Sequence, residues 1–188
     1  MSEMPDEDIA RQVQQGDVEA FGILMNRYEP KLTRYGRKFL ADEEHITDLV
    51  QDVFIKTYTN IQQFDASRRF SPWIYRVAHN VFVNALVKRG RERLVPFDLD
   101  TLLPHLSAKE TADEATHRDE LRSMLDDCLG QISSKYREIL VLYYFEELEY
   151  KEIAEVLHIP IATVGVRLQR ARKELTKVFA EAHPNYEQ

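Results

Sequence analysis

The apolar residues of this chain recur with the period of an α-helix almost everywhere, and no stretch alternates between apolar and polar residues as a half-buried strand does. Side chains spaced by three or four residues lie on one face of a helix. Stripes of this kind occupy residues 21–39, 46–61, 73–85 and 121–132, and further ones follow up to residue 182. The spacing therefore predicts an all-α fold.

The N-terminal stripes, together with a short helix near Asp8–Gln15, predict one small helical domain over residues 1–93. Asp17 stands where an aspartate caps the start of the first long helix. Pro30 falls inside that helix. We expect it to kink or split the helix, because proline removes a backbone donor and clashes with the preceding turn.

A change in composition follows this first domain. Residues 94–118 contain two prolines and several Asp, Ser and Thr residues without a sustained period, which is typical of a flexible linker. Periodicity then resumes and predicts a second small domain of four helices over residues 119–188. Its last three helices are expected over about Ser134–Phe145, Tyr150–Leu157 and Ile161–Ala182.

Composition disfavours several classes of protein. The acidic N-terminus lacks the apolar core of a signal peptide, and no stretch approaches the roughly 18 apolar residues of a membrane span. Cys128 is the only cysteine and lies on an apolar stripe, so we expect it to be buried and unpaired. The six histidines show neither metal-ligand spacing nor a nucleophile motif. We therefore expect a cytoplasmic protein with no membrane insertion, no cofactor, no metal and no catalysis.

The net charge of −7 conceals two basic segments. Residues 68–93 carry seven basic side chains and one acidic one, and residues 167–177 carry five and one. Between them, residues 146–155 carry five glutamates and one lysine. Because phosphate binding depends on the local field rather than on total charge, two DNA contacts are one interpretation. Two solvated helix faces are the other.

The sharpest local signal is the helix-turn-helix pattern of residues 150–175, YKEIAEVLHIPIATVGVRLQRARKEL. Val164, Leu168 and Ala171 give its second helix an apolar face. The turn usually holds glycine, and here it holds His158, a residue type that tolerates left-handed backbone better than most. The opposite face of the second helix offers groups that bind base edges and phosphates, namely Thr163, Arg167, Gln169, Arg170 and Lys173. An ordinary helical hairpin with a charged face is the alternative.

The third N-terminal helix places aromatic residues beside basic and amide groups. Such a mixture suits the unstacked bases of single-stranded DNA, and the preceding loop, Gln62–Arg69, is placed to form a pocket for an extruded base. The candidate residues on the helix are Phe70, Trp73, Tyr75, Arg76, His79, Asn80, Asn84, Lys88 and Arg89. The alternative is that Trp73 and Tyr75 belong to the core.

The second N-terminal helix carries an acidic edge. Asp48, Gln51 and Asp52 lie near one another on it, next to Leu49 and Phe54, which we expect to be exposed. An acidic edge with exposed apolar neighbours suits a protein partner with a basic surface. A simple solvated face is an equal alternative.

The chain resembles a bacterial sigma factor of the extracytoplasmic-function (ECF) group of the sigma-70 family. The resemblance covers nearly the whole chain, in order, and is carried by DLVQDVFIKTYTNIQQFD, FSPWIYRVAHNVFVNAL and LVLYYFEELEYKEIAEVLHIPIATVGVRLQRARKEL. It implies two helical domains, conserved regions 2 and 4, joined by the flexible linker. It also implies an alternative sigma factor that directs core RNA polymerase to promoters, melts the −10 element and starts transcription.

The resemblance assigns a role to each candidate set. The acidic helix corresponds to the surface that binds the clamp helices of the largest polymerase subunit, with Asp48, Leu49, Gln51, Asp52 and Phe54. The loop and the third helix correspond to the part that opens and reads the −10 element, with Arg68, Arg69, Trp73, Arg76, Asn80 and Asn84. The phosphate backbone of the −10 element would be bound by Lys88, Arg89, Arg91 and Arg93. The helix-turn-helix corresponds to the reader of the −35 element.

The partners implied are core RNA polymerase, through its clamp helices and its flap, promoter DNA, and an anti-sigma factor that covers apolar and acidic surfaces. One departure from the family concerns the pair after Thr163 and Val164, which is often basic or polar and here is Gly165 and Val166. Glycine removes a side chain that could contact a base, so the −35 sequence is expected to differ or to depend more on Arg167, Gln169 and Arg170.

The length of the linker agrees with two separate contacts. A linker of 25 residues reaches at most about 80 Å at about 3.3 Å per residue, and two turns of DNA measure about 70 Å. The competing function is a stand-alone helix-turn-helix regulator, which would need a dimer and a palindromic site. No dimerisation heptad is visible in the sequence.

Overall fold

The computed structural model describes residues 4–37, 39–40, 42–89 and 128–184. Over these residues the chain is all-α, as predicted. The helices are α1 (Asp6–Gln14), α2 (Val18–Gly36), α3 (Glu43–Asn60), α4 (Phe70–Arg89), α5 (Ser134–Tyr144), α6 (Tyr150–Leu157) and α7 (Ile161–Ala182). A 3-10 turn, Ile61–Gln63, follows α3, and residues 128–131 are also helical. The linker predicted over residues 94–118 lies outside the described residues, so the domain boundaries stay predictions.

Helices α1 to α4 form the N-terminal bundle, in which each helix packs against the next. Its core is rich in aromatic rings that meet edge to face, among them Tyr35 with Tyr75 and Tyr28 with Phe70. At Gly36, a Cβ atom would lie 2.7 Å from the ring of Phe82. The close approach of these helices therefore depends on a glycine at the end of α2.

The starts of the long helices follow the sequence. Asp17 accepts a hydrogen bond from the backbone N–H of Ala20 (3.1 Å), which confirms the predicted cap of α2. Asp42 caps α3 in the same way through the N–H of His45 (3.3 Å). Helix α4 is capped from another element, because the Glu7 side chain accepts a hydrogen bond from the N–H of Phe70 (2.8 Å).

Pro30 was expected to kink or split its helix, and the split is wrong, because α2 runs unbroken from Val18 to Gly36. Pro30 and Asn26 both lie on the exposed side of the helix. The carbonyl of Asn26, which loses its helical donor, faces water there, and this lowers the cost of an internal proline.

The C-terminal bundle consists of α5, α6 and α7, with α7 packed against the other two. Cys128 is fully buried, as expected. The guanidinium of Arg137 is buried as well and donates to the carbonyl oxygens of Gly130 (2.9 Å) and Ile132 (3.2 Å). These hydrogen bonds fasten the segment before α5 to α5 itself.

The two bundles pack against each other mainly through α4 and α6. Their buried apolar residues form one continuous cluster. This packing places the loop between the 3-10 turn and α4 against α6, the first helix of the helix-turn-helix. It therefore determines which candidate residues are exposed to solvent.

Candidate functional site

Helices α6 and α7 form the predicted helix-turn-helix. The turn residue His158 has φ 53° and ψ 42°, the left-handed conformation expected for it. Ile159 donates its N–H to the Ala154 carbonyl (3.1 Å), and Thr163 donates its N–H to the Pro160 carbonyl (2.8 Å). These two bonds close the end of α6 and the start of α7 around the turn.

Helix α7 has the two faces predicted from the sequence. Val164, Leu168 and Ala171 are fully buried. Of the predicted DNA-contacting residues, Gln169, Arg170 and Lys173 are exposed, and Thr163 and Arg167 are half-buried. The helix therefore presents a polar and basic row to solvent along the side opposite its core.

The half-buried Gly165 lies beside α6, because a Cβ atom added to it would stand 3.4 Å from the ring of Tyr150. Its neighbour Val166 is 48% exposed. The two residues that differ from the usual pair of the family therefore have different surroundings. Gly165 belongs to the packing between α6 and α7, and Val166 belongs to the outward surface.

The loop between the 3-10 turn and α4 lines a pocket, and its role as a site for an extruded base stays a prediction. Asp65 folds the loop by accepting hydrogen bonds from the Ser67 hydroxyl (2.7 Å) and N–H (3.0 Å). The Ser67 hydroxyl bond is the largest cause that lowers the pKa of Asp65. The pocket is lined by Gln63, Phe64, Asp65, Arg68, Arg69, Pro72, Trp73 and Arg76, and on its other side by Glu152 and Glu155.

The two glutamates at this pocket pair with the arginines that the sequence assigns to the −10 element. Arg68 Nη2 lies 2.6 Å from a carboxylate oxygen of Glu155. Arg69 Nη1 lies 2.8 Å from Glu152. The hydrogen bond that the Arg68 guanidinium donates to Glu155 is the main cause that raises the pKa of Arg68. The opposite charges of residues 68–93 and 146–155 were a signal for this pairing, and sequence reasoning missed it.

Glu152 has a second hydrogen-bond partner, because its carboxylate also accepts the backbone N–H of Glu149 (2.8 Å) at the start of α6. Its side chain is 14% exposed, whereas that of Glu155 is 31% exposed. Glu152 is thus held in place by a hydrogen bond at the start of α6 as well as by its pairing with Arg69.

The remaining candidates on α4 fall into two groups. Phe70 and Tyr75 are fully buried, so they belong to the core and are not base-stacking residues. Trp73 is partly buried, with its ring 5.3 Å from that of Phe64, and one side of it lines the pocket. Asn80 and Asn84 are exposed and Arg76 is half-buried. The side chains of Lys88 and Arg89, and all of Arg91 and Arg93, lie outside the described residues.

A buried carboxylate also joins the two bundles. Glu138 of α5 accepts a hydrogen bond from the Tyr35 hydroxyl, and one of its oxygens lies 2.6 Å from His79 Nδ1. Burial, followed by the Glu138 charge, raises the pKa of Tyr35 well above its ordinary value. His79 therefore belongs to the contact between the bundles, and the sequence alone gave no sign of this.

A second buried carboxylate lies nearby. Glu146 Oε1 is 3.6 Å from Arg34 Nη2, and both side chains are mostly buried. Burial is the largest cause that raises the pKa of Tyr75, and the Glu146 charge adds to it. Asn80 and His158 also meet across the bundles, at 3.3 Å. The contact between the bundles is therefore polar at its rim and at two buried points.

The acidic edge of α3 is present, but its apolar neighbours differ from the prediction. Asp48, Gln51 and Asp52 are exposed. Leu49 and Phe54 are only 8% and 5% exposed, so the prediction that they are exposed is wrong. Both lie on the side of α3 that faces the core. The exposed apolar residues of this helix are instead Ile55 and Tyr58.

An open groove runs between α3 and α4 next to this edge. It is lined by His45, Leu49, Asp52, Lys56, Val81, Asn84, Ala85 and Val87. Over the parts of the chain that are described, no cluster of three or more His, Cys, Asp or Glu residues has the geometry to hold a metal ion. Within the same parts, no helix has both the length and the apolar character needed to cross a membrane.

Two family models match the chain. The model "Sigma-70 region 2" matches residues 24–92, and the model "Sigma-70, region 4" matches residues 122–175. Among curated proteins, the ECF RNA polymerase sigma factor SigW of Bacillus subtilis is 32% identical over 89% of this chain and 92% of its own length. The RNA polymerase sigma-H factor of Pseudomonas aeruginosa is also 32% identical, over 95% of this chain and 96% of its own length.

Solved structures agree with these relatives. CnrH, solved in complex with the cytosolic domain of CnrY, superposes with a TM-score of 0.67 at 25% identity and covers 94% of this chain and 97% of its own. The sigma factor RpoE of Bartonella quintana shares the fold, with a TM-score of 0.63. The chain belongs to the sigma-70 family and is an alternative RNA polymerase sigma factor of the ECF group.

Proposed function

We propose that this sigma factor contacts the −35 element through α7, the −10 element through the loop before α4 and the outer side of α4, and core polymerase through α3. The observation that carries the proposal is the row on α7. Gln169, Arg170 and Lys173 are exposed along one side of a helix whose other side is fully buried. A recognition helix needs this arrangement to enter the major groove.

The −35 contact is divided between base edges and phosphates. Glutamine pairs bidentately with adenine, and arginine with guanine, so Gln169 and Arg170 are the base-contacting candidates. Thr163 and Arg167 flank them and are half-buried, which suits contacts to the DNA backbone at the groove edge. Lys173, one turn further along, would bind phosphate as a point charge.

The −10 contact combines the pocket with the outer side of α4. Arg68, Arg69 and the exposed side of Trp73 surround the pocket, and Arg76 closes it. Asn80 and Asn84 continue the same surface along α4. Lys88, Arg89 and Arg91 stay in the proposal as backbone contacts on the strength of the family resemblance.

The arrangement described above hinders the −10 contact. Arg68 and Arg69 are paired with Glu155 and Glu152, so phosphate oxygens have to compete with these two carboxylates as long as the two bundles stay together. We therefore include in the proposal that the bundles part when the protein joins polymerase and promoter.

Polymerase contacts follow from the surface of α3. Asp48, Gln51 and Asp52 form an exposed acidic edge that suits a basic partner surface, assigned here to the clamp helices. Leu49 and Phe54 support this edge from the core, and Ile55 and Tyr58 are the exposed apolar residues beside it. The C-terminal bundle is assigned to the polymerase flap.

An anti-sigma factor completes the proposal. CnrH, which has this fold, was solved with the cytosolic domain of another protein bound to it. The open groove between α3 and α4, with the exposed Val87 at its edge, gives such a partner an apolar surface. The proposal also places the protein in the cytoplasm. Sigma factors are not a class of enzymes, and we propose that the chain itself catalyses no reaction.

In vitro transcription with purified core polymerase tests the main proposal. Core with this protein is expected to start at discrete promoters across genomic DNA, and Arg170→Ala is expected to reduce starts that depend on the −35 element. Glu181→Ala on the same helix is the control, because Glu181 is exposed and lies outside the proposed row. Initiation no more specific than that of core alone would contradict the proposal.

A further inference from the structure

Val166 stands at the outermost point of the recognition helix. It follows the buried Val164 by two residues, or about 200° around the axis at about 100° per residue. The next buried residues, Leu168 and Ala171, lie on the same inner side as Val164. Val166 therefore points almost directly away from the core, and 48% of it is exposed.

Two of the exposed neighbours of Val166 on that side are proposed DNA-contacting residues. Gln169 and Arg170 lie three and four residues further on, and Ala162 lies four residues before it, all exposed. A single exposed apolar side chain needs no explanation in itself. This one, however, occupies the N-terminal half of a recognition helix, about one turn before the row that is proposed to face DNA.

The position of Gly165 leaves Val166 as the outward-facing residue of the pair. Because Gly165 lies against the ring of Tyr150, it is not a missing member of the outward row. Of the pair that departs from the family pattern, only Val166 can touch the bases. A valine has no donor or acceptor, so it contributes to base recognition through apolar contact alone.

In the major groove, the apolar group presented by bases is the 5-methyl of thymine. We propose that Val166 recognises an A·T pair of the −35 element by packing on the thymine methyl. A β-branched side chain on a helix has one strongly preferred rotamer, so its methyl groups are held in position before contact. This inference rests on the proposed −35 role of α7.

Deoxyuridine tests the contact directly, because it is thymidine without that methyl. The preferred −35 element is first selected from a randomised library with the holoenzyme, formed from the full chain and core polymerase. Each thymine of the selected element, on either strand, is then replaced by deoxyuridine, one at a time. At one position the affinity of the wild-type holoenzyme should fall roughly fourfold, the factor for one methyl-sized group buried from water.

The variant Val166→Ala should bind the thymine promoter about fourfold less tightly and show no further loss with deoxyuridine, since the two changes remove the same contact. Ile161→Ala is the matched control. Ile161 is 54% exposed on the same helix but lies toward the side of the buried row, so this variant should keep the deoxyuridine response. Because Val166 is exposed, its substitution is expected to leave folding intact.

Three outcomes would overturn the inference: a selected −35 element without a preferred A·T pair, a wild-type holoenzyme indifferent to deoxyuridine at every position, or Val166→Ala losing affinity on deoxyuridine as the wild type does. Arg170→Ala separates these from a failure of the proposed function. If Arg170→Ala weakens −35-dependent binding and the methyl has no effect, only the role of Val166 is wrong. If neither Arg170 nor the −35 sequence affects binding, the DNA-binding role of α7 is itself wrong.

Discussion

The two surfaces proposed to bind DNA differ in whether their side chains are already paired within the molecule. On the N-terminal bundle, Arg68 and Arg69 are paired with glutamates of α6. On α7, Gln169, Arg170 and Lys173 face solvent. Glutamates of α6 thus occupy the guanidinium groups of the first proposed surface, whereas no ion pair joins a carboxylate of the described residues to the three side chains of the second. If the proposal is right, separation of the bundles controls the −10 contact and leaves the −35 contact unaffected.

The largest effect is expected from the buried carboxylate that joins the bundles. Replacing Glu138 by alanine leaves the Tyr35 hydroxyl and His79 without their acceptor in a buried place. Leaving buried polar groups unpaired costs about 3 kcal/mol. We expect this loss to appear as separation of the bundles, measured by fluorescence energy transfer between a dye on each bundle.

The control is Glu181→Ala, which removes an exposed glutamate of α7 whose carboxylate lies 3.8 Å from the ammonium group of Lys177. It should leave the energy transfer unchanged. If Glu138→Ala kept the bundles as close as the wild type does, the buried carboxylate would not be what holds them together.

A smaller effect is expected from the exposed ion pairs. The double variant Glu152→Gln, Glu155→Gln frees Arg68 and Arg69 without adding cations. Two exposed pairs contribute about 1 kcal/mol together, so the full chain without core polymerase should bind a short single-stranded DNA about fivefold more tightly at low salt. The gain should shrink as salt rises, because exposed charges are screened.

The control for this experiment changes the net charge equally at a distance from the pocket. Glu19 and Glu29 are exposed on α2, and the double variant with glutamine at both positions should gain far less affinity. Equal gains in the two double variants would mean that total charge, and not release of the two arginines, governs binding.

The smallest effect is expected from Gly165, which packs α7 against α6. Gly165→Ala should stabilise α7, because glycine inside a helix costs up to about 1 kcal/mol relative to alanine. The new Cβ would meet Tyr150 at 3.4 Å, which is an ordinary contact. We expect a gain of about 0.5 kcal/mol in the free energy of unfolding of the C-terminal bundle, with the preferred −35 sequence unchanged.

Gly22→Ala in α2 provides the comparison, because nothing lies within 4 Å of the added Cβ atom. It should stabilise the N-terminal bundle by the full helix-propensity difference. A changed −35 preference in Gly165→Ala would show that Gly165 contacts DNA after all, and would return it to the outward row.

Local features were predictable because they depend on residues close together in sequence. The cap at Asp17, the left-handed turn at His158 and the buried row on α7 follow from spacing and residue type alone. The split expected at Pro30 and the exposure expected of Phe54 were wrong for one common reason. Which side of a helix faces the core depends on the helices packed around it, and a single stripe does not settle that.

The contact between the bundles was beyond prediction for a different reason. The pairs Arg68–Glu155 and Arg69–Glu152 join residues more than 80 positions apart. Each side alone looks like an ordinary charged helix or loop. Opposite charge makes such a pairing favourable, yet many other pairings between a basic and an acidic segment would satisfy the same rule.

Glu152 and Glu155 also differ in how well the structure would tolerate their substitution. The carboxylate of Glu152 serves two donors, the Glu149 N–H at the start of α6 and the Arg69 guanidinium. Any substitution there alters the helix-turn-helix and the hold between the bundles together. Glu155 bonds only to Arg68 among the described contacts of its side chain. A mutation at Glu155 would therefore weaken the proposed hold between the bundles without removing a hydrogen bond of the helix-turn-helix.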